Sequence, residues 1–400
     1  MYRRPRTPAE VATRPTCRDG RPALARAAWA VGALALAIAC AAPAARAPAA
    51  APAAPAAPAA PAAQAAPPAA PAPASSAPAA PAAPAQMTTV RVAQAGGIGS
   101  AGRFIAQDRG YYQEEGIVVE EIPFDTSTTM LPALAAGQID VATGGIAAGL
   151  FNAIAQGIPV RIVLDVWSAT PGNESGGLMV RRELIDSGQV RTLADLRGRR
   201  IGITSRGHAT EFALDLALQR EGLSVDDVEP ALLSYPDMNI ALANGNADGA
   251  VSIDPFIARA VSQGIAARFK AWPELVPYDQ PAMLMFSEDL ADNRTDAGQR
   301  FAKAYVRGLR VYHEARTKGT NREEVIGSMI QHTELKDRAI YDTMPWPSNN
   351  PDGRVNADII ATAQDWLFDH GYVKTKVDLS RVIDPRFADY AVAQLGSYQP

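Results

Sequence analysis

Ala133-Leu-Ala-Ala-Gly137-Gln-Ile-Asp140-Val-Ala142 and Ala241-Leu-Ala-Asn-Gly245-Asn-Ala-Asp248-Gly-Ala250 carry one pattern twice, about 108 residues apart. Each reads as the end of a helix, a glycine just past it, two residues, and an aspartate leading into a strand of small residues. Glycine at that place takes the left-handed conformation that stops a helix, and small strand residues pack beneath it. The unit occurs once in each of two sets of elements, which predicts two similar lobes. A cleft between two lobes is the default place for a ligand.

Working outward, short β-runs alternate with amphipathic helices, the pattern of parallel sheets in an α/β fold. The first set reads as strand Val90–Ala95, helix Ala101–Glu114, strand Ile117–Pro123, helix Thr126–Ala136, and strands Ile139–Ala142 and Val160–Val166. The second begins at Thr192, with strand Arg200–Thr204, helix Ala209–Glu221, strand Glu229–Ser234, helix Asp237–Ala243 and strand Gly249–Ile253. After Ala282–Phe286 the chain reads as mostly helical to its end.

The composition is uneven. Of the 45 residues from Ala41 to Ala85, 41 are Ala or Pro, so this stretch cannot build a core. The foldable part is Met87–Pro400, long enough for two buried interiors. It carries 30 basic and 40 acidic residues, which argues against a nucleic-acid partner. Cysteine occurs only at Cys17 and Cys40, so the foldable part has no disulfide, thiolate metal site or cysteine nucleophile. The four histidines (His208, His313, His332, His370) are too scattered for a zinc site. No cofactor and no metal are expected.

The front end reads as an address. Arginine-rich residues 1–26 precede the apolar run Ala27–Ala39, as in an export signal, and the run is too short to span a bilayer. Ala37-Ile-Ala-Cys40 looks like a bacterial lipobox, with Ala37 where leucine is usual and Cys40 as the lipidated residue. Cleavage near Ala45-Arg46-Ala47, giving a soluble form, and a later start are alternatives. The Ala/Pro tract is then a semi-extended spacer that reaches on the order of 100 Å.

Several motifs bear on chemistry. Gly97-Ile98-Gly99-Ser100-Ala-Gly102 is a literal G-x-G-x-x-G after a strand, with Glu120 and Glu121 placed as in a dinucleotide site. The preceding strand alternates instead of running apolar, which favours a glycine-rich loop opening onto the cleft; an exported NAD(P)-dependent oxidoreductase is the alternative. Gly202-Ile-Thr-Ser205-Arg206-Gly207-His208-Ala209 has the glycine frame of a P-loop but lacks its lysine and its hydroxyl. What remains is a loop entering a helix at Thr210, suited to a small anion, with Arg206 and His208 as reinforcing charges and Ser205 and Thr210 as hydroxyl donors or plain caps. Asp254-Pro255 reads as a helix cap and as an acceptor at the cleft mouth. Thr143-Gly144-Gly145 is its counterpart in the first set, and Trp167-Ser168 ends a strand as a flat apolar wall or a core residue. No G-x-S-x-G elbow is present, and Glu114-Glu115 and Asp226-Asp227 fall on solvated helix ends, so an enzyme is not favoured.

Gly110-Tyr-Tyr-Gln-Glu-Glu-Gly116-Ile-Val-Val119 resembles a segment of the substrate-binding proteins of nitrate/sulfonate/taurine-type ABC transporters, a group that includes binders of thiamine pyrimidine precursors. Ala135-Ala-Gly-Gln-Ile-Asp140, Leu193-Ala-Asp-Leu-Arg-Gly198-Arg-Arg-Ile-Gly202, Asn244-Gly-Asn-Ala-Asp248 and the tail Trp366–Leu395 extend the resemblance over nearly all of Met87–Pro400. It implies a type II periplasmic-binding-protein fold: two α/β lobes, a two-crossing hinge with hinge strands Gly177–Val180 and Ala282–Phe286, and closure around one ligand. The implied division is export signal with lipobox 1–40, linker 41–86, lobe one 87–178, lobe two 179–282, and completion of lobe one with the C-terminal helices 283–400. By the same resemblance, Gly97–Ser100 and Thr143–Gly145 face the ligand from lobe one, and Ser205–Thr210 and Asp254 from lobe two. Relatives often have Glu-Pro where this chain has Asp254-Pro255. Some relatives are enzymes that make the thiamine pyrimidine with a sacrificed histidine and a cysteine-rich motif, which this domain lacks. The expectation is a monomeric, extracytoplasmic solute-binding protein, lipid-anchored or released, that delivers a small organic anion (sulfonate, carboxylate or nitrate-like, or a pyrimidine) to an ABC permease. A ligand sensor for a membrane receptor shares the same fold.

Overall fold

A computed structural model describes residues 87–94, 97–124 and 127–400. The export segment, Cys40 and the Ala/Pro spacer lie outside the described residues. No helix among the described residues is long and apolar enough to cross a membrane.

Among the described residues, ten strands form two five-stranded sheets. The first sheet contains β1 (Thr88–Gln94), β2 (Ile117–Pro123), β3 (Val141–Gly144), β4 (Val160–Trp167) and β10 (Ala282–Ser287), in the order β2-β1-β3-β10-β4. The second contains β5 (Gly177–Arg181), β6 (Arg200–Ile203), β7 (Glu229–Leu232), β8 (Gly249–Ser252) and β9 (Ala266–Ala271), in the order β7-β6-β8-β5-β9. The chain passes between sheets twice, through residues 168–176 and 272–281. The sheets are mixed where the sequence predicted parallel ones: β10 is antiparallel to β3 and β4, and β5 to β8 and β9. The reason is connectivity. β10 and β5 are the first strands after each crossing, so they leave the hinge while β4 and β9 run toward it. The carboxyl ends of β3, β4 and β8 therefore point at the cleft, where α/β sheets bind ligands.

The duplicated pattern has one structural job in both lobes. Gly137 (φ +67°) and Gly245 (φ +71°) occupy the left-handed region just past their helices. Asp140 Oδ2 then accepts the Arg91 amide at 2.8 Å, and Asp248 Oδ2 accepts the Arg200 amide at 3.1 Å. The return bonds, from the Asp140 amide to the Arg91 carbonyl and from the Asp248 amide to the Arg200 carbonyl, are both 2.8 Å. Each aspartate also holds an arginine side chain: Arg91 and Arg294 on Asp140, Arg181 on Asp248. These carboxylates lock the start of each lobe's third parallel strand to the first.

Elements differ from the sequence expectation where charge or glycine intervenes. The helix expected over Ala101–Glu114 is two helices, Ala101–Asp108 and Tyr111–Glu114, broken at Gly110 (φ +71°). Arg268 and Lys270 interrupt the apolar pattern of β9, which hid it. The helix Ala101–Asp108 packs against the long helix Thr295–Lys318, and a Cβ on Gly308 would lie 2.0 Å from the Gly102 carbonyl oxygen. Gly102 and Gly308 are thus contact glycines of a close helix crossing.

The tail is not confined to lobe one. Ile383 bridges to Ile162 and covers the outer edge of β4, and Phe387 packs edge-on to Phe286. The helix Ala357–Asp369, however, reaches lobe two: Trp366 Nε1 donates to Asp215 at 2.8 Å and its ring meets Phe212. Asn152 of lobe one donates to the Tyr372 carbonyl at 3.0 Å, so this segment straps the lobes together.

Candidate functional site

The strand ends converge on two adjoining chambers that share Thr143. The inner chamber, about 160 Å³, is lined by Gly97–Ser100, Thr143, Val166 and Trp167 from lobe one and by Ser175, Ile253 and Asp254 from the lobe-two side. The outer chamber, about 370 Å³, is lined by Thr143–Gly145 and Ala147–Leu150 on one side and Ser205–His208 on the other. Of the sequence-predicted residues, Gly97, Ile98, Gly99, Ser100, Trp167 and Asp254 line the inner chamber, and Gly144, Gly145, Ser205, Arg206, Gly207 and His208 the outer one.

Two residues fall elsewhere. The Ser168 hydroxyl donates to Asp165 at 3.0 Å and its residue lines a separate cavity beside the hinge. Thr210 is wholly buried, and its hydroxyl accepts the Thr204 amide at 3.1 Å inside the loop.

The lobes touch across the outer chamber. The Ala148 amide donates to the Gly207 carbonyl at 2.7 Å and the Ala209 amide to the Ile146 carbonyl at 3.2 Å. This two-bond bridge between a lobe-one loop and the lobe-two loop holds the cleft in a closed arrangement.

The loop expected to receive an anion already holds one from the chain itself. Glu211, wholly buried, accepts the Gly207 amide at 2.7 Å, Arg206 Nη1 at 2.5 Å and the Tyr372 hydroxyl at 3.0 Å. That bond with Glu211 raises the Arg206 pKa, so the guanidinium is a structural partner of the loop and not a free cation for a ligand. His208 is no charge either: burial lowers its pKa, and Nδ1 lies 3.0 Å from the Thr204 hydroxyl. Asp254 is similarly committed. Its oxygens take Arg268 Nη2 at 2.9 and 3.1 Å, the Gly176 amide at 3.2 Å and the Ala258 amide at 3.0 Å, which fills a carboxylate's acceptor sites. Burial raises its pKa against the pull of Arg268. The N-cap of the helix Phe256–Ser262 is Pro255, one residue on from the expected place. Asp254 reaches into its first turn through Ala258 and ties β8 to the first crossing, so the expected ligand acceptor at the cleft mouth is held by structural bonds.

Apart from Asp254, which is paired with Arg268, what the inner chamber offers is neutral. Ile98, Val166, Ile253 and the Trp167 ring are apolar, and Ser100 and Thr143 bring hydroxyls. Trp167 is nine-tenths buried, and its indole N–H has no acceptor among the described residues. The turn Ile98–Ser100 runs directly into the helix Ala101–Asp108, so the amides of Ile98 and Gly99 come before the intrahelical bonds begin.

With this geometry in view, residues 98–315 match the family model described as NMT1/THI5 like. The chain belongs to the NMT1/THI5-like family. No curated protein matches the sequence. Among solved structures, the NMT1/THI5-like chain is similar to the periplasmic aliphatic sulphonate binding protein SsuA from Escherichia coli, with TM-score 0.61 and 22% identity over 74% of this chain and 97% of that one. The periplasmic nitrate-binding protein NrtA from Synechocystis PCC 6803 gives TM-score 0.59 and 15% identity, over 78% and 90% of the two chains. A ligand binding component of an ABC-type import system from Staphylococcus aureus, with zinc bound, gives 0.61 and 16%, over 76% and 99%. The NMT1/THI5-like chain thus has the two-lobed periplasmic-binding-protein fold.

The dinucleotide alternative does not fit this NMT1/THI5-like site. Glu121 is ion-paired with Arg103, Gly102 is used in helix packing, and the chamber at the glycines, about 160 Å³, is too small for a dinucleotide. Sequence reasoning missed Glu211, Tyr372 and Ser175. Glu211 had a signal, an acid in the first turn of a helix whose preceding loop carries Arg206. Tyr372 had none, because only the tertiary fold brings it there.

Proposed function

We propose that this protein is the solute-binding component of an ABC importer, acting outside the cytoplasmic membrane and closing its lobes over a small organic anion without chemistry. The observation that carries this reading is the inner chamber, whose walls come from both lobes and which exists only when they meet. The printed roles of the structural neighbours, in sulphonate, nitrate and ABC-type import, support it.

The chamber's chemistry narrows the solute. Ile98, Val166 and Ile253 suit a short apolar body. The head group would be received by the Trp167 indole N–H, the Thr143 hydroxyl and the leading amides of the helix at Ile98. Neutral donors of this kind hold a sulfonate or carboxylate without a buried cation. Cys40 would carry the lipid that keeps the monomer near its permease.

A thermal-shift panel on the full chain, with sulfonates, nitrate, carboxylates, pyrimidines and NAD, tests the reading. A ligand at about a hundred times its Kd adds about 2.7 kcal/mol. A shift with a small anion is expected. A shift with NAD alone would overturn the reading.

A further inference from the structure

Behind the cleft, a second cavity of about 510 Å³ lies where both hinge crossings meet the end of the long helix Thr295–Lys318. Ser168–Thr170 of the first crossing and Tyr278 and Gln280 of the second line it, facing His313 and Arg316. No Asp or Glu lines it, and Arg354, whose Nη1 donates to Asp389 at 2.5 Å, adds a second guanidinium.

Arg316 is the anomaly. Among the described residues it makes no ion pair and no hydrogen bond, and its Nε is buried without an acceptor. Arg316 is partly buried, and an arginine in such a place is ordinarily paired, because an unpaired one loses part of its hydration with nothing in return. Burial accordingly lowers its pKa, with no carboxylate to oppose it. His313 beside it is also lowered, first by burial and then by Arg316, and so adds a neutral ring. A smaller cavity of about 310 Å³, on the other side of Arg316, is lined by Glu174, which forms no ion pair among the described residues, and by Arg322, whose side chain bonds the Tyr341 carbonyl and lies over the Trp346 ring. Two guanidiniums without carboxylate partners therefore flank one stretch of the first crossing.

The second crossing is also strained at this place. Tyr278, which lines the cavity and is 59% exposed, holds φ +58°, a left-handed backbone that non-glycine residues rarely adopt.

We propose that this cavity is a second anion site, in which Arg316 binds a small phosphate- or carboxylate-bearing solute between the two hinge crossings. Thr170 and the side-chain amide of Asn350 supply neutral hydrogen-bonding groups around it, while Ser168 and Asn356 are already bonded to Asp165 and to the Tyr278 carbonyl. The bound anion joins both crossings to the long helix of lobe one. The site is separate from the solute chamber and does not depend on what that chamber binds.

The experiment is calorimetric titration of the full chain with inorganic phosphate and, separately, malonate. Binding of either is expected, and which one binds names the head group. Arg316→Gln should weaken it at least about tenfold, Arg316→Lys should retain part of it, and the chamber variant Thr143→Val should leave it unchanged. Because Arg316 has no partner to lose, Arg316→Gln should melt at or above the wild-type temperature. The proposal is overturned if neither anion binds at about 10 mM, or if Arg316→Gln binds as well as wild type. Loss of binding in Thr143→Val with Arg316→Gln unaffected would assign the anion to the chamber and overturn it too.

Discussion

Glu211→Ala should open the anion loop that the chain now fills for itself. The carboxylate accepts three hydrogen bonds, from the Gly207 amide, Arg206 and the Tyr372 hydroxyl. Breaking a fully buried ion pair costs about 3–5 kcal/mol. Arg206, however, is 41% exposed and recovers water when its partner goes. The remaining loss is chiefly the buried Gly207 amide and the partly buried tyrosine hydroxyl, so about 2 kcal/mol is expected. The vacated space is carboxylate-shaped and still ringed by donors. Acetate should enter it: at about 100 mM and a Kd of about 10 mM it restores about 1.4 kcal/mol. Urea unfolding followed by tryptophan fluorescence, in matched sodium acetate and sodium chloride, reads both effects. If Glu211→Ala is as stable as wild type, or if acetate and chloride act alike on it, the loop is not held by an internal anion.

Other expectations follow from buried groups. Burial pushes Asp165 up to about 7 and Asp279 up to about 6, against the bonds that Asn350, Gln280 and Trp272 give them. The folded chain therefore holds protons that the unfolded chain has released above about pH 4, and stability falls as pH rises toward 7, by up to about 4 kcal/mol from Asp165 and about 3 from Asp279. Urea midpoints measured across that range should show this fall, and Asp165→Asn should flatten it; a wild-type profile that rises with pH would refute it. Asp254→Ala should destabilise by about 3–5 kcal/mol, because Arg268 is left only 18% exposed without its carboxylate; an unchanged urea midpoint would contradict that. Gly308→Ala should cost about 1–3 kcal/mol by forcing the two helices apart at Gly102, whereas Gly319→Ala, with open space around it, should show only its backbone strain.

Much of the fold could be read from local rules. Gly137 and Gly245 stop helices by a backbone conformation that any reader of sequence can assign, and the aspartates after them mark two lobes. The antiparallel sense of β5 and β10 could not be read that way, since it follows from where the chain crosses between sheets. For the site, strand ends and glycine loops located the chambers, because those features are local. The partners of Arg206 and Asp254 could not be read, for the opposite reason. A charged side chain at a cleft reads as ligand-binding until its partners are known, and Glu211, Tyr372 and Arg268 reach them only through the tertiary fold. Trp167 was legible as a wall but not as an unsatisfied donor, since that depends on what fails to come near its indole nitrogen.

Closure of the two lobes over a solute is read out by an interlobe distance. Spin labels at Gln156→Cys of lobe one and Ile240→Cys of lobe two, with Cys17 and Cys40 changed to serine, report it in the full chain. On saturation with the solute that the thermal-shift panel identifies, the distance distribution should narrow and shift to its short limit. A distribution unchanged between the free and saturated protein would contradict the account.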